Sequence, residues 1–191
     1  MPPKAKITKE MIIYTGMELV RKEGSEALNV RRVAAELGCS TQPVMYSFPT
    51  VEELKDEIYR SADEFHSGYL MNGCFESEDP MLAIGPNYIR FAHEERNMFR
   101  FLFQSDKIGD ESVKELMDME ALGPIISVLE QEAELTSEQA KEAFTALFAA
   151  VHGFASMLAN NSMKYDEEYF TRVLSEIFYG VIGVMKGGTV C

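Results

Sequence analysis

The chain has 191 residues, 46% of them apolar, and carries 31 acidic against 18 basic side chains for a formal charge of −13; this excludes a wholly disordered chain and suffices for one or two small domains with a sizeable core. Cys39, Cys74 and Cys191 lie far apart with no metal-ligand spacing, which excludes a disulfide framework and a zinc module. No uninterrupted apolar run reaches the ~18 residues of a membrane span and the first residues, MPPKAKITKE, lack a secretory core, so a cytoplasmic protein with no membrane role is expected.

Residues 1–7 read as an arm whose Lys4 and Lys6 can reach phosphate. Thr8 is placed to cap a first helix over 8–23, with Met11, Ile12, Gly16, Leu19 and Val20 inward. Gly24 ends it behind Arg21 and Lys22, cations suited to a helix C-terminus. Leu28 bridges to the next element. Asn29 then precedes Val30, Val33, Ala34 and Leu37 at helical spacing, and Gly38 closes this short helix. Ser40 is placed to cap a third helix, with Val44 and Phe48 inward and a cap bond expected to Gln42, because Pro43, the third helical residue, has no N–H. Val33, Ala34, Leu37, Cys39 and Val44 suit two helices crossing steeply around a tight turn, a helix-turn-helix.

The outer face of the third helix carries Thr41, Gln42, Met45 and Tyr46, with Ser47 nearby. Helix-turn-helix proteins read the major groove with the N-terminal residues of this helix. Gln42 suits a bidentate pair with adenine and the Thr41 methyl a thymine methyl. Ser40 and Tyr46 suit phosphate, and Arg31 and Arg32 on the preceding helix add positive charge. The same pattern also suits a helical hairpin with no DNA role. Cys39 in the turn reads as a small apolar core residue, with a redox sensor as the alternative.

Thr50-Val51-Glu52-Glu53 reads as a capping box opening a helix over 51–72, with Leu54, Ile58, Phe65 and Tyr69 on one face. At ~1.5 Å per residue it spans ~30 Å, enough for a lever between an N-terminal head and the remainder. Asp79-Pro80 opens a further helix that Gly85-Pro86 is expected to kink or break. The run YIRFAHEERNMFRFLF predicts two aromatic-rich helices meeting near 95–97. A loop over 105–110 leads to a helix over 111–132, bent at Gly123-Pro124, with Val113, Leu116, Met117, Met119 and Leu122 inward. A second capping box at Thr136 opens a helix to Asn160, and a last helix spans 165–185. No strand pattern and no repeat is present. The expected fold class is all-α with about nine helices.

The stretch IIYTGMELVRKEGSEALNVRRVAAELGCSTQPVMYSFPTVEEL resembles the DNA-binding domain of the tetracycline-repressor (TetR) family of bacterial transcription regulators. Ile12, Gly16, Leu19, Val20 and Gly24 match in the first helix, and Val33, Ala34 and Gly38 in the second. Ser40, Val44, Tyr46, Phe48, Glu53 and Leu54 match in the third helix and its exit. The resemblance covers about residues 8–58. Val51 stands where the family usually has a phosphate-touching lysine, Met45 where a tyrosine is common, and Pro43 is unusual. Downstream, FAHEERNMFRFLF and VHGFASM are similar to a subgroup with a His-Gly pair in the eighth helix. The resemblance implies a three-helix DNA-binding domain over 1–49 and a helical ligand-binding and dimerisation domain over 50–191.

Charge is segregated accordingly. Residues 1–48 hold seven basic and five acidic side chains, a net +2, and the rest hold 11 and 26, a net −15. The acidic body favours head-first docking on DNA, and so weak a positive head needs a second copy acting with it. The last two helices provide a route to a homodimer. Ala150, Phe154 and Leu158 on one, and Phe170, Leu174, Phe178 and Val181 on the other, make apolar stripes too broad for one neighbour; burial within the subunit is the alternative. Phe65, Tyr69, Phe91 and Phe99, with Phe103, Met117, Phe148 and His152, supply rings and a flexible thioether for an apolar or amphipathic effector, or are plain core. No enzyme signature or cofactor motif is found. The expected function is a ligand-responsive repressor binding a palindromic double-stranded operator; the alternative is an all-α interaction protein that has lost specific DNA binding.

Overall fold

Capping side chains set more than half of the helix starts. In a computed structural model, residues 7–74, 80–104 and 122–187 are described, and among them lie nine α-helices and no strand. These are α1 (Lys9–Glu23), α2 (Val30–Glu36), α3 (Thr41–Ser47), α4 (Val51–Leu70), α5 (Pro80–Glu94), α6 (Arg96–Phe103), α7 (Gly123–Ala133), α8 (Ser137–Asn160) and α9 (Glu167–Met185). The Thr8 hydroxyl accepts the Met11 N–H at 3.3 Å, and Asn29 Oδ1 accepts the Arg32 N–H at 3.1 Å. Thr50 accepts from Glu53 at 3.1 Å, and Thr136 and Gln139 form a full capping box at the start of α8. Each bond reaches the third helical residue. In α3 that residue is Pro43, and Ser40 occupies the cap position without any side-chain cap bond. The bond expected to Gln42 is therefore not made: the usual donor is missing and the serine does not turn to the next one. α9 starts at Glu167 rather than at 165 because Asp166 caps it, accepting the Tyr169 N–H at 3.0 Å.

The chain divides into two units, holding among the described residues 7–68 with 95–104, and 69–74 with 80–94 and 122–187. In the first unit α1 packs on α2, α3 and α6. Ile12, Leu19, Val20, Leu28, Val33 and Val44 are buried, and Phe48 and Leu54 join them. Met11, expected inward, is 39% exposed, because it lies about 100° around α1 from Ile12. Along α4 the buried row is Leu54, Ile58, Ala62 and His66, at steps of four; Phe65 and Tyr69 are half-buried beside it. The two parts of the unit are tied by Arg21, whose Nε donates to Glu95 at 2.8 Å, and by Asn97 Nδ2, which donates to the Arg21 carbonyl at 3.0 Å.

In the second unit α5 packs on α8 and α9, and α7 on α8. The break expected at Gly85-Pro86 does not occur: α5 is continuous with Pro86 inside it. Tyr88, Ile89, Phe91 and Ala92 are all buried, and this tertiary packing outweighs the lost backbone donor. Gly85 permits the close approach, since a Cβ there would stand 3.0 Å from Leu174 Cδ1. A second cluster joins Ile126, Leu129, Ala133, Leu135, Ala140, Ala143 and Ile182. α7 begins at Gly123 with Pro124 in its first turn. Residues 105–121, with Met117 and the first half of the helix expected over 111–132, lie outside the described residues, as do Lys4, Lys6 and Cys191. α8 is by length and composition apolar enough to cross a bilayer, which a count of uninterrupted apolar runs misses, and most of that apolar stretch is not buried within the chain.

Candidate nucleic-acid interface and effector site

The turn between α2 and α3 is built by backbone. Gly38 takes φ +62°, its N–H donates to the Ala35 carbonyl at 3.0 Å, and the Cys39 N–H donates to that of Ala34 at 2.9 Å. Buried Val33, Ala34, Val44 and Phe48 form the inner side of this pair of helices, and Cys39 is half-buried in the turn. The opposite face of α3 is open. Thr41 and Gln42 are exposed, Met45 is 41% exposed and Tyr46 is 90% exposed, the most open of the large apolar side chains described. Ser40 is exposed and Ser47 half-buried. Arg31 is exposed with no salt bridge to a described residue, whereas Arg32 Nη2 is held by Glu23 at 2.5 Å and lies 3.9 Å from Glu36. The two arginines thus differ in how far carboxylates of the described residues hold them. Val51 is half-buried in the first turn of α4.

The ring residues named for an effector fall into both units. Phe65, Phe99 and Phe103 belong to the first: the Arg21 guanidinium lies 5.0 Å over the Phe65 ring, and Phe99 and Phe103 have centroids 5.0 Å apart. The second holds Tyr69, Phe91, Phe148 and His152. Tyr69 stacks edge-on with buried Phe91 at 5.3 Å and donates its hydroxyl to Glu94 at 2.5 Å. Phe148 and His152 are brought together, at 5.4 Å, around Tyr88, whose hydroxyl meets His152 Nδ1 at 2.9 Å. Burial lowers the His152 pKa and raises that of Tyr88, so both are neutral near pH 7. A surface depression of about 540 Å³, lined by Glu134, Leu135, Gln139, Met185, Lys186 and Gly187, contains none of these rings. Of the residues assigned to pairing, Leu158, Phe170 and Leu174 are buried within the chain, while Ala150, Phe154, Phe178 and Val181 are partly open. Among the described residues no three His, Cys, Asp or Glu side chains are grouped to hold a metal ion.

His66 is a buried titratable group that sequence reasoning missed, although it continues the four-residue spacing of Leu54, Ile58 and Ala62. It is 6% exposed, with the Phe103 ring edge-on at 5.0 Å, and burial drives its pKa from 6.5 down to about 4. Between those two values the unfolded chain binds a proton that the folded chain refuses, so this residue's contribution to stability falls as the pH drops below 6.5 and stops changing below about 4. At pH 5 the loss is about 2 kcal/mol relative to neutral pH. Urea unfolding at pH 7.5 and pH 5 should show this difference in the parent chain and lack it in His66→Leu; equal pH dependence in the two would contradict it.

Residues 81–177, half of the chain, match a family model described as "Tetracyclin repressor-like, C-terminal domain". The chain belongs to the tetracycline-repressor-like family. An uncharacterized HTH-type transcriptional regulator of Mycobacterium tuberculosis is 24% identical over 152 residues, which cover 78% of this chain and 69% of that relative. The family match lies wholly outside residues 8–58, where the sequence resemblance is carried, so the two ends of the chain point to the same family independently. A tetracycline-repressor-like protein is a DNA-binding transcriptional regulator rather than an enzyme, and the all-helical fold agrees with that membership.

Proposed function

We propose that this regulator is a homodimeric, effector-responsive repressor of the cytoplasm, which holds a palindromic operator with two copies of α3 and whose operator affinity changes when an apolar or amphipathic small molecule binds its helical body. DNA contact is assigned to residues 1–49, and effector binding and pairing to 50–191. The observation that carries the reading is the face of α3: a buried Val44–Phe48 side and an outer side of Thr41, Gln42, Met45 and Tyr46 with no cover of its own. Pairing is supported by α8 and α9, where Ala149, Gly153 and Met157 are open at steps of four, and Tyr179, Gly180, Gly183 and Val184 make another open stretch. A Cβ at Gly153, Gly180 or Gly183 would meet nothing within 4 Å. Two dimer heads about one DNA turn (~34 Å) apart would engage two half-sites. An effector would act by population shift, with a coupling of ~1–3 kcal/mol.

The deciding experiment is a gel shift at low salt with DNA from the gene's own upstream region. A retarded band that apolar metabolites dissolve supports the reading; no band with any adjacent intergenic fragment favours an interaction protein without DNA binding. Base readout and phosphate contact are separable within α3. Gln42→Ala should lose ~1–3 kcal/mol of discrimination at one base pair per half-site, whereas Tyr46→Phe should weaken all sequences alike. Binding to a panel of single-base operator variants distinguishes the two, and identical profiles would contradict this division of roles.

A further inference from the structure

The last turn of α4 is closed from another helix. A helix leaves its final carbonyls without intrahelical donors, and they usually turn to water or to local caps. Here Asn87 of α5, 7% exposed, donates through Nδ2 to the Leu70 carbonyl and to the Asn72 carbonyl, each at 2.9 Å. The same Nδ2 also lies 3.6 Å from Cys74 Sγ, so both N–H groups of the amide are spent on this one turn. The Cys74 thiol, fully buried, donates to the same Leu70 carbonyl at 3.0 Å.

The next residue on α5 faces elsewhere. Successive helical side chains project about 100° apart, and Tyr88 meets His152 Nδ1 on α8 at 2.9 Å while its ring lies 6.0 Å from that of Phe148. Pro86, immediately before the pair, contributes no N–H to the ladder of α5, which makes this the point where the helix is easiest to bend or turn.

We propose that Asn87 and Tyr88 are a two-sided relay, coupling the Tyr88–His152 contact on one face of α5 to the C-terminal turn of α4 on the other. A molecule that displaces the Tyr88 hydroxyl from His152 turns α5 at Pro86, draws the Asn87 amide off the two carbonyls and frees the end of α4. The relay lies entirely within the second unit. Its regulatory meaning rests on the effector-responsive reading above, whereas its existence does not. Asn87 is a positioning residue in this scheme, and Tyr88 and His152 are where the signal enters.

The test is amide hydrogen exchange, resolved to single residues, on the full chain. The reporters are the Asn72 and Cys74 N–H groups, which close the turn on the Tyr69 and Met71 carbonyls. Asn87→Ala should speed their exchange 10-fold or more. Tyr88→Phe, which keeps the ring, and His152→Ala should speed it at least 3-fold while Leu129 on α7 keeps its parent rate. If Asn87→Ala fails to fold, Tyr88→Phe decides alone. Unchanged rates at Asn72 and Cys74 in Tyr88→Phe and His152→Ala overturn the relay. A uniform rise that includes Leu129 overturns it too, because that marks general loosening. In a second arm, operator binding by Tyr88→Phe should differ at least 5-fold from the parent; a parent that binds and a variant that binds equally well overturn the regulatory role. A parent that binds no DNA overturns the proposed repressor function instead, and the exchange rates still decide the relay.

Discussion

Gly153→Arg should convert the proposed dimer to a monomer while leaving the fold of each chain intact. A Cβ at 153 would meet nothing within 4 Å among the described residues and the position is exposed, so an arginine can leave toward solvent without crowding them. It also replaces a glycine inside α8, a change worth up to ~1 kcal/mol in favour of the helix. In the proposed dimer the damage would fall on the second copy alone, whose close approach would need the small residues of this face. Light scattering should give the mass of one chain, and the thermal midpoint should lose its dependence on protein concentration. Operator affinity should fall by ~10²-fold or more, since each head is left with its own net +2 and no linked partner. Gly68→Arg, also in open space but on α4, is the control and should leave the mass unchanged. A Gly153→Arg chain that still weighs as a dimer would rule out this face.

Gly16→Val should be among the most damaging single changes in the first unit. An ideal Cβ at 16 would overlap Ile58 Cδ1, and it would stand 2.9 Å from Ile58 Cγ1 and 3.4 Å from Leu28 Cδ1. Ile58 is wholly buried and Leu28 is 3% exposed, so neither has free space to retreat into. Overpacking of a filled core costs ~1–3 kcal/mol, and the branched valine puts this site at the upper end. A loss of roughly 3 kcal/mol corresponds to a midpoint lower by roughly 6–12 °C at this chain length. Calorimetry or circular dichroism would read it; a drop under 2 °C would mean that α1 and α4 separate more easily than the burial of Ile58 implies.

Gly16 also marks how far the fold is legible in the amino-acid sequence. Its place on the inward face of α1 follows from periodicity, but the atom it accommodates belongs to a residue 42 positions later, which no local pattern reveals. Thr8, Asn29 and Thr136 are readable as caps because a cap is a bond spanning three residues. Ser40 holds the expected cap position and still makes no bond, because proline at the third helical position removes the partner the other caps use. Pro86 misleads for the opposite reason: a local breaking signal is overridden by burial against α8 and α9. His66 lies on the same four-residue step as Leu54 and Ile58, and its polar side chain hides that membership from a search for apolar residues. In the candidate site, the outer face of α3 follows from the same helical period that hides Val44 and Phe48. The grouping of the aromatic residues does not follow, because which rings meet depends on tertiary packing and not on spacing.

The return of α6 to the first unit bears on the order in which a growing chain can finish its parts. Arg21, already paired with Glu18 on its own helix, finds a second carboxylate in Glu95, 74 residues later, and its carbonyl is held by Asn97, 76 residues later. At ~5–20 residues per second, the N-terminal helices wait several seconds or more for these partners to be synthesised. Until then the far end of α1 lacks the Glu95 and Asn97 contacts. A nascent chain thus carries its helix-turn-helix before it can complete the contacts around it, and a fragment cut after α4 would keep α3 yet never acquire them.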